Sequence, residues 1–162
     1  MRVCSGILFN HESPLRPERF VTMKIARAVA DIALGKQSQL VLGNLDISRD
    51  WGWAPEYVEA MWRIMQLDQP EDFVIATGRA YSLRDFLQAA FAAAGLDWEK
   101  HVRSDPKLFR PSDPRMIVGN PSKAERVLKW RATLQTPDVA RRLVEATLQN
   151  VQPRVARETV LA

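Results

Sequence analysis

The chain has 162 residues, a length that suits one domain, since domains cluster at roughly 100 to 150 residues. With 46% hydrophobic and 26% charged residues it can bury a core, which excludes a disordered chain. Its seven glycines and ten prolines are scattered and no segment recurs at a fixed spacing, which excludes a collagen-like chain and a repeat array. The net charge of +4 comes from basic residues interleaved with acidic ones. Because no long run of like charges occurs, the sequence does not indicate a nucleic-acid partner.

The sequence carries no membrane or metal signal. Its longest apolar stretches fall well short of the ~20 residues that cross a bilayer, and the apolar segment after Met1 ends too early for a signal peptide. Cys4 is the only cysteine, and the two histidines offer no metal-ligand spacing. We therefore expect a cytoplasmic protein with no membrane partner, no metal site and a buried, inert Cys4 thiol.

The first fifty residues predict two strands and one helix. Residues 2–9 are apolar and partly β-branched, which predicts a strand that runs into a polar loop. Apolar side chains recur every three or four positions over residues 18–34, which predicts an amphipathic helix stopped by Gly35. Residues 39–42 predict a short strand, and residues 46–53 predict a loop rich in charged and aromatic side chains.

Helices and one buried strand dominate the rest of the chain. Prolines at the first helical position predict three helices, beginning at Pro55, Pro121 and Pro137. The predicted apolar face of the first is Val58, Met61, Trp62 and Met65. Residues 73–78 predict a buried strand, and a capping box at Ser82 predicts a helix that ends at Gly95. Residues 97–115 are predicted to be irregular, and residues 151–162, which lose periodicity, to form a mobile tail.

Strands alternate with helices along the chain, which is typical of an α/β protein with a largely parallel sheet. We expect one domain over residues 1–150, followed by the tail. A doubly wound domain normally opens with its own βαβ unit and a glycine-rich turn. This chain opens on a strand that leads into polar residues, so the usual cofactor-binding unit has no counterpart in the sequence.

Three polar clusters are predicted on loops at strand ends, where open α/β sheets bind ligands. They span residues 10–16, 42–53 and 109–115. Their amide and guanidinium groups suit phosphates and hydroxyls, but the first cluster also fits a turn and the third a rigid surface turn. The second also fits a salt-bridge cluster of Asp46, Arg49 and Asp50. Its Trp51 and Trp53 suggest a packed loop or an aromatic wall.

The sequence contains no catalytic signature. It has no glycine-rich dinucleotide loop, no Walker loop, no G-x-S-x-G elbow and no Tyr-x-x-x-Lys pair. We therefore assign no catalytic residue, and we do not expect the chain to run covalent or hydride chemistry by itself.

Several segments together resemble one enzyme family. They read GILFNHESP (6–14), FVTMKI (20–25), LGNLD (42–46), RDWG (49–52), YVEAMW (57–62), FVIATG (73–78) and RP (110–111). In this order they resemble the C-terminal half of the GDP-mannose 4,6-dehydratases, which are extended short-chain dehydrogenases/reductases with a doubly wound, Rossmann-type sheet. The resemblance covers residues 2 to about 150, with the last Rossmann strands and the substrate-binding subdomain.

The resemblance implies an NADP-dependent hydro-lyase. Such an enzyme oxidises C4 of the mannosyl ring, eliminates water across C5 and C6 and returns the hydride to C6, which gives GDP-4-keto-6-deoxymannose. In that family the glycine-rich loop and the catalytic residues precede the strand that begins this chain. The resemblance therefore implies a fragment that is inactive alone, an N-terminal half supplied in trans or lost, and a homo-oligomer when full length.

The resemblance also implies binding residues, position by position. His11 and Arg16 are expected to contact NADP. The residues expected to line the GDP-sugar site are Asn10, Thr22, Lys24, Asn44, Arg49, Arg110 and Asp113. Among them, Arg49 and Arg110 are expected on the diphosphate, where each charge-assisted bond contributes roughly 1.5 to 3 kcal/mol once desolvated.

The chain departs from the family pattern at several positions. The family usually has arginine where Leu15 and Met23 stand, glycine at Pro17, histidine at Trp53 and glutamate at Asp113. A relative that acts on another GDP-hexose is therefore an alternative, and NAD in place of NADP stays open. A non-catalytic nucleotide-sugar-binding or interaction module is a second alternative, which the sequence upstream would decide. A basic nucleic-acid-binding domain is a third alternative, and it would require a clustered positive face and salt-sensitive binding to DNA.

Overall fold

The computed structural model describes residues 3–110 and 112–159, with side-chain surroundings given through Val151. The strands are β1 Gly6–Leu8, β2 Asn10–Glu12, β3 Leu40–Leu42, β4 Ser48–Arg49, β5 Trp51–Trp53, β6 Phe73–Ile75, β7 Tyr81–Ser82, β8 Val102–Ser104 and β9 Met116–Ile117. The helices are α1 Val21–Ala33, α2 Ala54–Met65, α3 Leu83–Ala92, α4 Trp98–His101, α5 Ser122–Leu128 and α6 Thr136–Thr159. A short 3₁₀ turn follows β8 at Pro106–Leu108.

The strands form short sheets that are mostly parallel. β1 pairs with β6, β2 with β5 and β3 with β8, all in parallel. β4 lies between β7, which is antiparallel to it, and β9, which is parallel. The prediction of an α/β fold with largely parallel strands is confirmed.

Three segments predicted as loops or irregular chain contain regular structure. The polar residues after β1 form β2, the charged and aromatic segment 46–53 contains β4 and β5, and the segment 97–115 contains α4 and β8. These strands are two or three residues long, too short to show a period in the sequence. They exist because segments distant in sequence supply their backbone hydrogen-bond partners, as β5 does for β2.

The larger hydrophobic cluster packs α1, α3 and α6 against β3, β5 and β8. The predicted helix ends are confirmed here, since Gly35 and Gly95 adopt φ of 70° just beyond α1 and α3. Ser82 and Asp85 form the predicted capping box at the start of α3. This cluster forms a core that is closed on several sides by helices.

The smaller hydrophobic cluster packs α2 and α5 against one face of the β1–β6 pair. The predicted inner face of α2 is wrong: the buried residues are Tyr57, Ala60 and Ile64. The predicted set of Val58, Met61, Trp62 and Met65 is exposed. The helix is apolar on two faces, and only packing decides which of them is covered.

The carboxylate of Asp50 joins three segments at the end of β4. It is buried, and it accepts hydrogen bonds from the backbone N–H groups of Thr77, Gly78 and Gly119 and from the Thr77 hydroxyl. A buried charge needs this degree of satisfaction, because an unpaired one is strongly destabilising. Asp50 is therefore a structural residue that ties the loop after β6 and the segment after β9 to the centre of the molecule.

The last helix continues past the point where the sequence loses its period. α6 ends at Thr159, so the backbone of residues 151–159 is helical, while the mobility predicted for residues 151–162 stays a prediction. Residues 160–162 of that tail, residue 1 and residue 2 of the first predicted strand lie outside the described residues. Within the described chain, every helix is too short or too polar to span a lipid bilayer.

Candidate functional site

Two adjoining cavities lie beside the start of α1. The first, the Arg49 cavity, has a volume of about 150 Å³. The second, the Lys24 cavity, has a volume of about 640 Å³, within the range of roughly 300 to 1,000 Å³ typical of ligand pockets. They are contiguous because five residues line both: Phe20, Val21, Ile47, Arg110 and Asp113.

Most of the predicted site residues line these cavities. Asn10, Arg16, Thr22 and Arg49 border the first, Lys24 and Asn44 border the second, and Arg110 and Asp113 border both. They come from β2, α1, β4 and three separate loops. The tertiary structure therefore gathers eight of the nine predicted residues around two adjoining cavities.

Glu12 is a buried acid at this site that sequence reasoning missed. Its Oε2 accepts a hydrogen bond of 2.9 Å from the Thr22 hydroxyl and lies 3.2 Å from Nε of Arg16. The Arg16 guanidinium also lies over the Phe20 ring, 3.6 Å from its centroid. Glu12 thus holds two predicted binding residues, Arg16 and Thr22, in place. Its position between His11 and Ser13 in the resembling segment was the only available signal.

The environment of Glu12 shifts its ionisation. Burial raises the pKa of the Glu12 carboxyl above its ordinary value, because the charged form loses its hydration. The hydrogen bond from Thr22 and the positive charge of Arg16 oppose that effect by favouring the carboxylate. Burial prevails, so this carboxyl keeps its proton to a higher pH than an exposed glutamate does.

Arg49 is nearly buried and pairs with Asp113. One terminal nitrogen of its guanidinium forms a salt bridge with the Asp113 carboxylate, and the other donates to the Ser48 carbonyl at 2.7 Å. The alternative of a salt-bridge cluster with the acids beside it is wrong. Asp46 pairs with Arg84 at 2.8 Å, which lowers the pKa of Asp46, and Asp50 bonds elsewhere.

The Lys24 cavity is shaped by a close approach of two loops. A Cβ atom on Gly43 would lie 2.8 Å from the Leu108 carbonyl oxygen, so only glycine lets these segments meet. Asn44 Oδ1 accepts a hydrogen bond from the Asp46 backbone, and Lys24 Nζ donates to the Val41 carbonyl at 2.9 Å. This approach brings the loop that carries the exposed Arg110 to the cavity.

Two structural details qualify the third polar cluster. Pro111, one of the residues in the resembling RP pair, lies outside the described residues. Asp113 donates its backbone N–H to the Arg110 carbonyl at 3.2 Å, which forms a turn. The turn predicted for this cluster is present, and it presents both residues to the cavities.

His11 is the predicted site residue that lines neither cavity. Its ring stacks on Tyr57 with centroids 4.9 Å apart, and its Nδ1 donates to the Phe9 carbonyl at 2.7 Å. Gly52 makes room for this stack, because a Cβ there would lie 2.4 Å from the Tyr57 ring. Burial strongly raises the pKa of the Tyr57 hydroxyl, so it stays protonated.

The residues that depart from the family pattern occupy different environments. Met23 is buried in the larger hydrophobic cluster, whereas Leu15 is exposed. Trp51 is buried against Phe86 and lines the Arg49 cavity, and Trp53 is half-buried with Arg142 over its ring. The tryptophan pair thus serves both as packing and, through Trp51, as a wall of the cavity.

Two other predictions concern the cysteine and metal sites. Cys4 is half-buried, not fully buried, and packs against the smaller hydrophobic cluster. Among the described residues, no group of three or more His, Cys, Asp or Glu side chains is arranged to hold a metal ion.

Solved structures show which fold the chain has. The structure of RMD from Pseudomonas aeruginosa complexed with NADPH matches with a TM-score of 0.82 at 20% identity, covering 92% of this chain and 48% of that one. UDP-glucose 4-epimerase from Thermotoga maritima with UDP-glucose matches with a TM-score of 0.72 at 19% identity, covering 90% and 46%. The chain has the Rossmann-type α/β fold of extended short-chain dehydrogenases/reductases.

Sequence comparison identifies the particular family. The family model for GDP-mannose 4,6 dehydratase matches residues 1–143. GDP-mannose 4,6 dehydratase 2 of Caenorhabditis elegans is 46% identical, covering 91% of this chain and 43% of the relative. GDP-mannose 4,6 dehydratase 1 of Arabidopsis thaliana is 43% identical, covering 98% and 43%. The chain belongs to the GDP-mannose 4,6-dehydratase family and spans about half the length of these relatives.

Proposed function

We propose that this chain supplies the GDP-sugar-binding part of a GDP-mannose 4,6-dehydratase. The complete enzyme would convert GDP-mannose to GDP-4-keto-6-deoxymannose by oxidation at C4, elimination of water across C5 and C6, and reduction at C6. The observation that supports this most is the gathering of Lys24, Arg49 and Arg110 around two contiguous cavities in a member of this family.

Arg49 and Arg110 are proposed to hold the diphosphate. Asp113 and the Ser48 carbonyl fix the Arg49 guanidinium in one orientation before ligand arrives, so little side-chain entropy is lost on binding. Arg110 is exposed at the junction of the cavities and would close on the phosphates from the other side. Lys24 adds a third positive charge in the larger cavity.

The remaining polar side chains suit the hydroxyls and amides of a nucleotide sugar. The Asp113 carboxylate is an acceptor for ribose hydroxyls, and its charge is offset by Arg49. Asn10, Thr22 and Asn44 supply amide and hydroxyl groups along the same walls. These groups would orient the sugar, while the reacting groups would come from the other half of the domain.

The described residues fit one edge of a nicotinamide cofactor site. Arg16 keeps donors beyond those facing Glu12, and on its other side it borders a separate cavity of about 640 Å³ with Arg27 and Lys36, whose charge suits phosphate. With Nδ1 bonded to a carbonyl, His11 has Nε2 as its remaining ring position. We propose that Arg16 and His11 hold NADP, which when bound accepts and returns the hydride.

Other parts of this proposal concern the complete protein. We propose a cytoplasmic homo-oligomer in which the catalytic residues and most of the NADP site belong to an N-terminal half. Leu15, Met23 and Trp53 stand where the family usually has other residues, so a different GDP-hexose is the alternative substrate.

Binding of GDP to the folded chain tests the proposed site. Isothermal titration calorimetry should detect GDP binding, with UDP as the matched nucleotide. Arg110→Ala should weaken it by roughly one to three decades, at about 1.4 kcal/mol per decade. Arg141→Ala is the control, because Arg141 pairs with Asp138 on the exposed surface of α6. A folded chain that binds no GDP, or equal binding by Arg110→Ala and wild type, would reject the proposal.

A further inference from the structure

The His11 side chain lies on the opposite face of β2 from the Arg49 cavity. Asn10 and Glu12, its neighbours on the strand, border that cavity. Successive side chains of a strand point to opposite faces, and His11 accordingly packs against Tyr57, a member of the smaller hydrophobic cluster. A ligand group recognised by His11 therefore differs from the groups that the cavity would hold.

The Tyr57 ring occupies the place beside His11 that a side chain on β5 would fill. Gly52 is paired with His11 in the parallel register of β2 and β5. A Cβ atom on Gly52 would lie 2.4 Å from Cε2 of Tyr57, so a side chain there would displace the tyrosine. The planes of the Tyr57 and His11 rings meet at 23°, so the tyrosine covers one face of the imidazole.

Tyr57 is itself held by packing. It is fully buried, and its ring meets that of Trp130 edge to face, with the centroids 5.9 Å apart. Nε1 of Trp130 donates to the Glu56 carbonyl at 2.9 Å, which fixes the indole. Among the described residues, no polar atom is placed to form a hydrogen bond with the Tyr57 hydroxyl. The flat face of the ring, and not its hydroxyl, is therefore what acts on His11.

The bond from Nδ1 decides which nitrogen of the imidazole carries the proton. A carbonyl oxygen only accepts, so Nδ1 of neutral His11 carries the hydrogen that it donates to the Phe9 carbonyl at 2.7 Å. Nε2 of the neutral ring is then unprotonated and can only accept a hydrogen bond. Such an acceptor suits a hydroxyl or an amide N–H of a ligand. It does not suit the oxygens of a diphosphate bridge, which carry no hydrogen.

We propose that Tyr57 is a positioning residue that, with the Phe9 carbonyl, locks His11 as the Nδ1–H tautomer and presents Nε2 as an acceptor to a hydroxyl or amide group of the cofactor. The phosphates of the cofactor are left to Arg16, whose guanidinium has only donors. The choice of ligand rests on the NADP site proposed above, whereas the lock on the ring does not.

Nitrogen NMR of the full chain, isotopically labelled on its histidine nitrogens, tests the lock. The chain has two histidines, and His101→Gln assigns their signals. In mildly alkaline buffer, where imidazole is neutral, His11 should show a protonated Nδ1 and an unprotonated Nε2. Tyr57→Met should move both shifts towards the average of the two tautomers, because the ring is then free to turn. Tyr57→Phe should keep the wild-type shifts, because the stacked face remains.

Two further variants complete the test. Tyr81→Met is the matched control, because Tyr81 is the other tyrosine of the chain and lies on β7 with Arg79 over its ring. Gly52→Ala places a Cβ against the Tyr57 ring, so it should disturb the His11 shifts as Tyr57→Met does. Circular dichroism and the Tm verify that each variant folds.

The wild-type spectrum can overturn the proposal even where a variant does not fold. A neutral His11 ring protonated on Nε2 would do so. Shifts that neither Tyr57→Met nor Gly52→Ala alters in folded protein would also overturn it.

Addition of ligand separates the lock from the proposed cofactor contact. NADP should move the Nε2 signal of His11 upfield, as expected of an acceptor that gains a hydrogen bond, and inorganic pyrophosphate should leave it in place. An equal response to both probes overturns the choice of a hydroxyl or amide group. A locked ring that does not respond to NADP would keep the lock and reject the proposed cofactor contact. Binding of GDP at the Arg49 cavity is measured independently of both.

Discussion

The two hydrophobic clusters of this molecule differ in how completely they are enclosed. Helix α1, in the larger cluster, has buried eight of its 13 residues, from Thr22 to Ile32. Helix α2, in the smaller cluster, has buried three of its 12 residues, and four further apolar side chains of this helix are exposed. The strands differ too, since β3 is covered at Leu40 and Leu42 whereas β1 is largely exposed.

This difference shows which of the two cores the described residues enclose. The larger cluster, with the cavities at its edge, encloses its own core and carries the predicted binding residues. The smaller cluster is one layer of helices on one face of a two-stranded sheet, which leaves a strand edge and a helix face open. Asp50 connects the two, because its hydrogen bonds reach the loop after β6 and the segment after β9.

The largest expected effect is on catalysis. The chain alone should show no dehydratase activity, because its sequence has no Tyr-x-x-x-Lys pair to move protons. The assay incubates the purified chain with GDP-mannose and NADP and looks for the 4-keto product. If the other half, fused before Met1 or added in trans, restores turnover, the result supports the claim that the catalytic residues lie outside this chain. Turnover by the chain alone would contradict that claim.

The next effect separates the clusters by stability. Phe86→Ala should lower the free energy of unfolding by about 3 to 5 kcal/mol, because Phe86 is fully buried against Trp51. Trp62→Ala should change it by no more than about 0.5 kcal/mol in the chain alone, since Trp62 is mostly exposed. Urea denaturation measures both. A large loss from Trp62→Ala would mean that α2 is already covered.

Hydrogen exchange should resolve the open edge at single amides. The Phe9 N–H, which donates to the Ile75 carbonyl, should exchange more slowly than that of Leu8, which points to the open edge. Both should exchange faster than the interior amides of α3. We also expect concentration-dependent self-association through residues 3–9 when no partner is present. Equal protection of residues 3–9 and 73–76 in a monodisperse monomer would contradict this prediction.

The smallest expected effect concerns Glu12, the buried acid beside the Arg49 cavity. Because burial raises the pKa of Glu12 in the folded state, the folded chain holds a proton that the unfolded chain releases near pH 4.5. Its contribution to stability therefore falls as the pH rises from that value through the raised pKa. Glutamine does not ionise, so the Glu12→Gln variant does not lose this contribution. Its free energy of unfolding relative to wild type should therefore increase between pH 4 and pH 8.

Exposed Glu145 provides the control for that pH profile. Glu145→Gln makes the same change of side chain on the exposed surface of α6, and the pH profile of Glu12→Gln is compared with it as well as with wild type. Parallel pH profiles for Glu12→Gln and wild type would show that Glu12 has no raised pKa.

The sequence predicted the features that depend on neighbouring residues. Gly35 and Gly95 end their helices because a left-handed backbone costs glycine little, and Ser82 with Asp85 caps α3 through bonds three residues apart. Pro55 stands in the first turn of α2, where the N–H that proline lacks would have no partner within the helix. The resemblance named nine site residues, of which eight line the pair of cavities in the structure, while their binding roles stay a prediction.

Only the tertiary structure decided the features that depend on distant partners. The residues of β2 and β5 are strands because they pair with each other across some forty positions, and periodicity within three residues cannot signal that. The buried face of α2 was decided by what packs on it, since both of its faces are apolar. Glu12 binds Thr22 and Arg16 because β2 and α1 meet, and a carboxylate's partners depend on geometry that no local pattern contains.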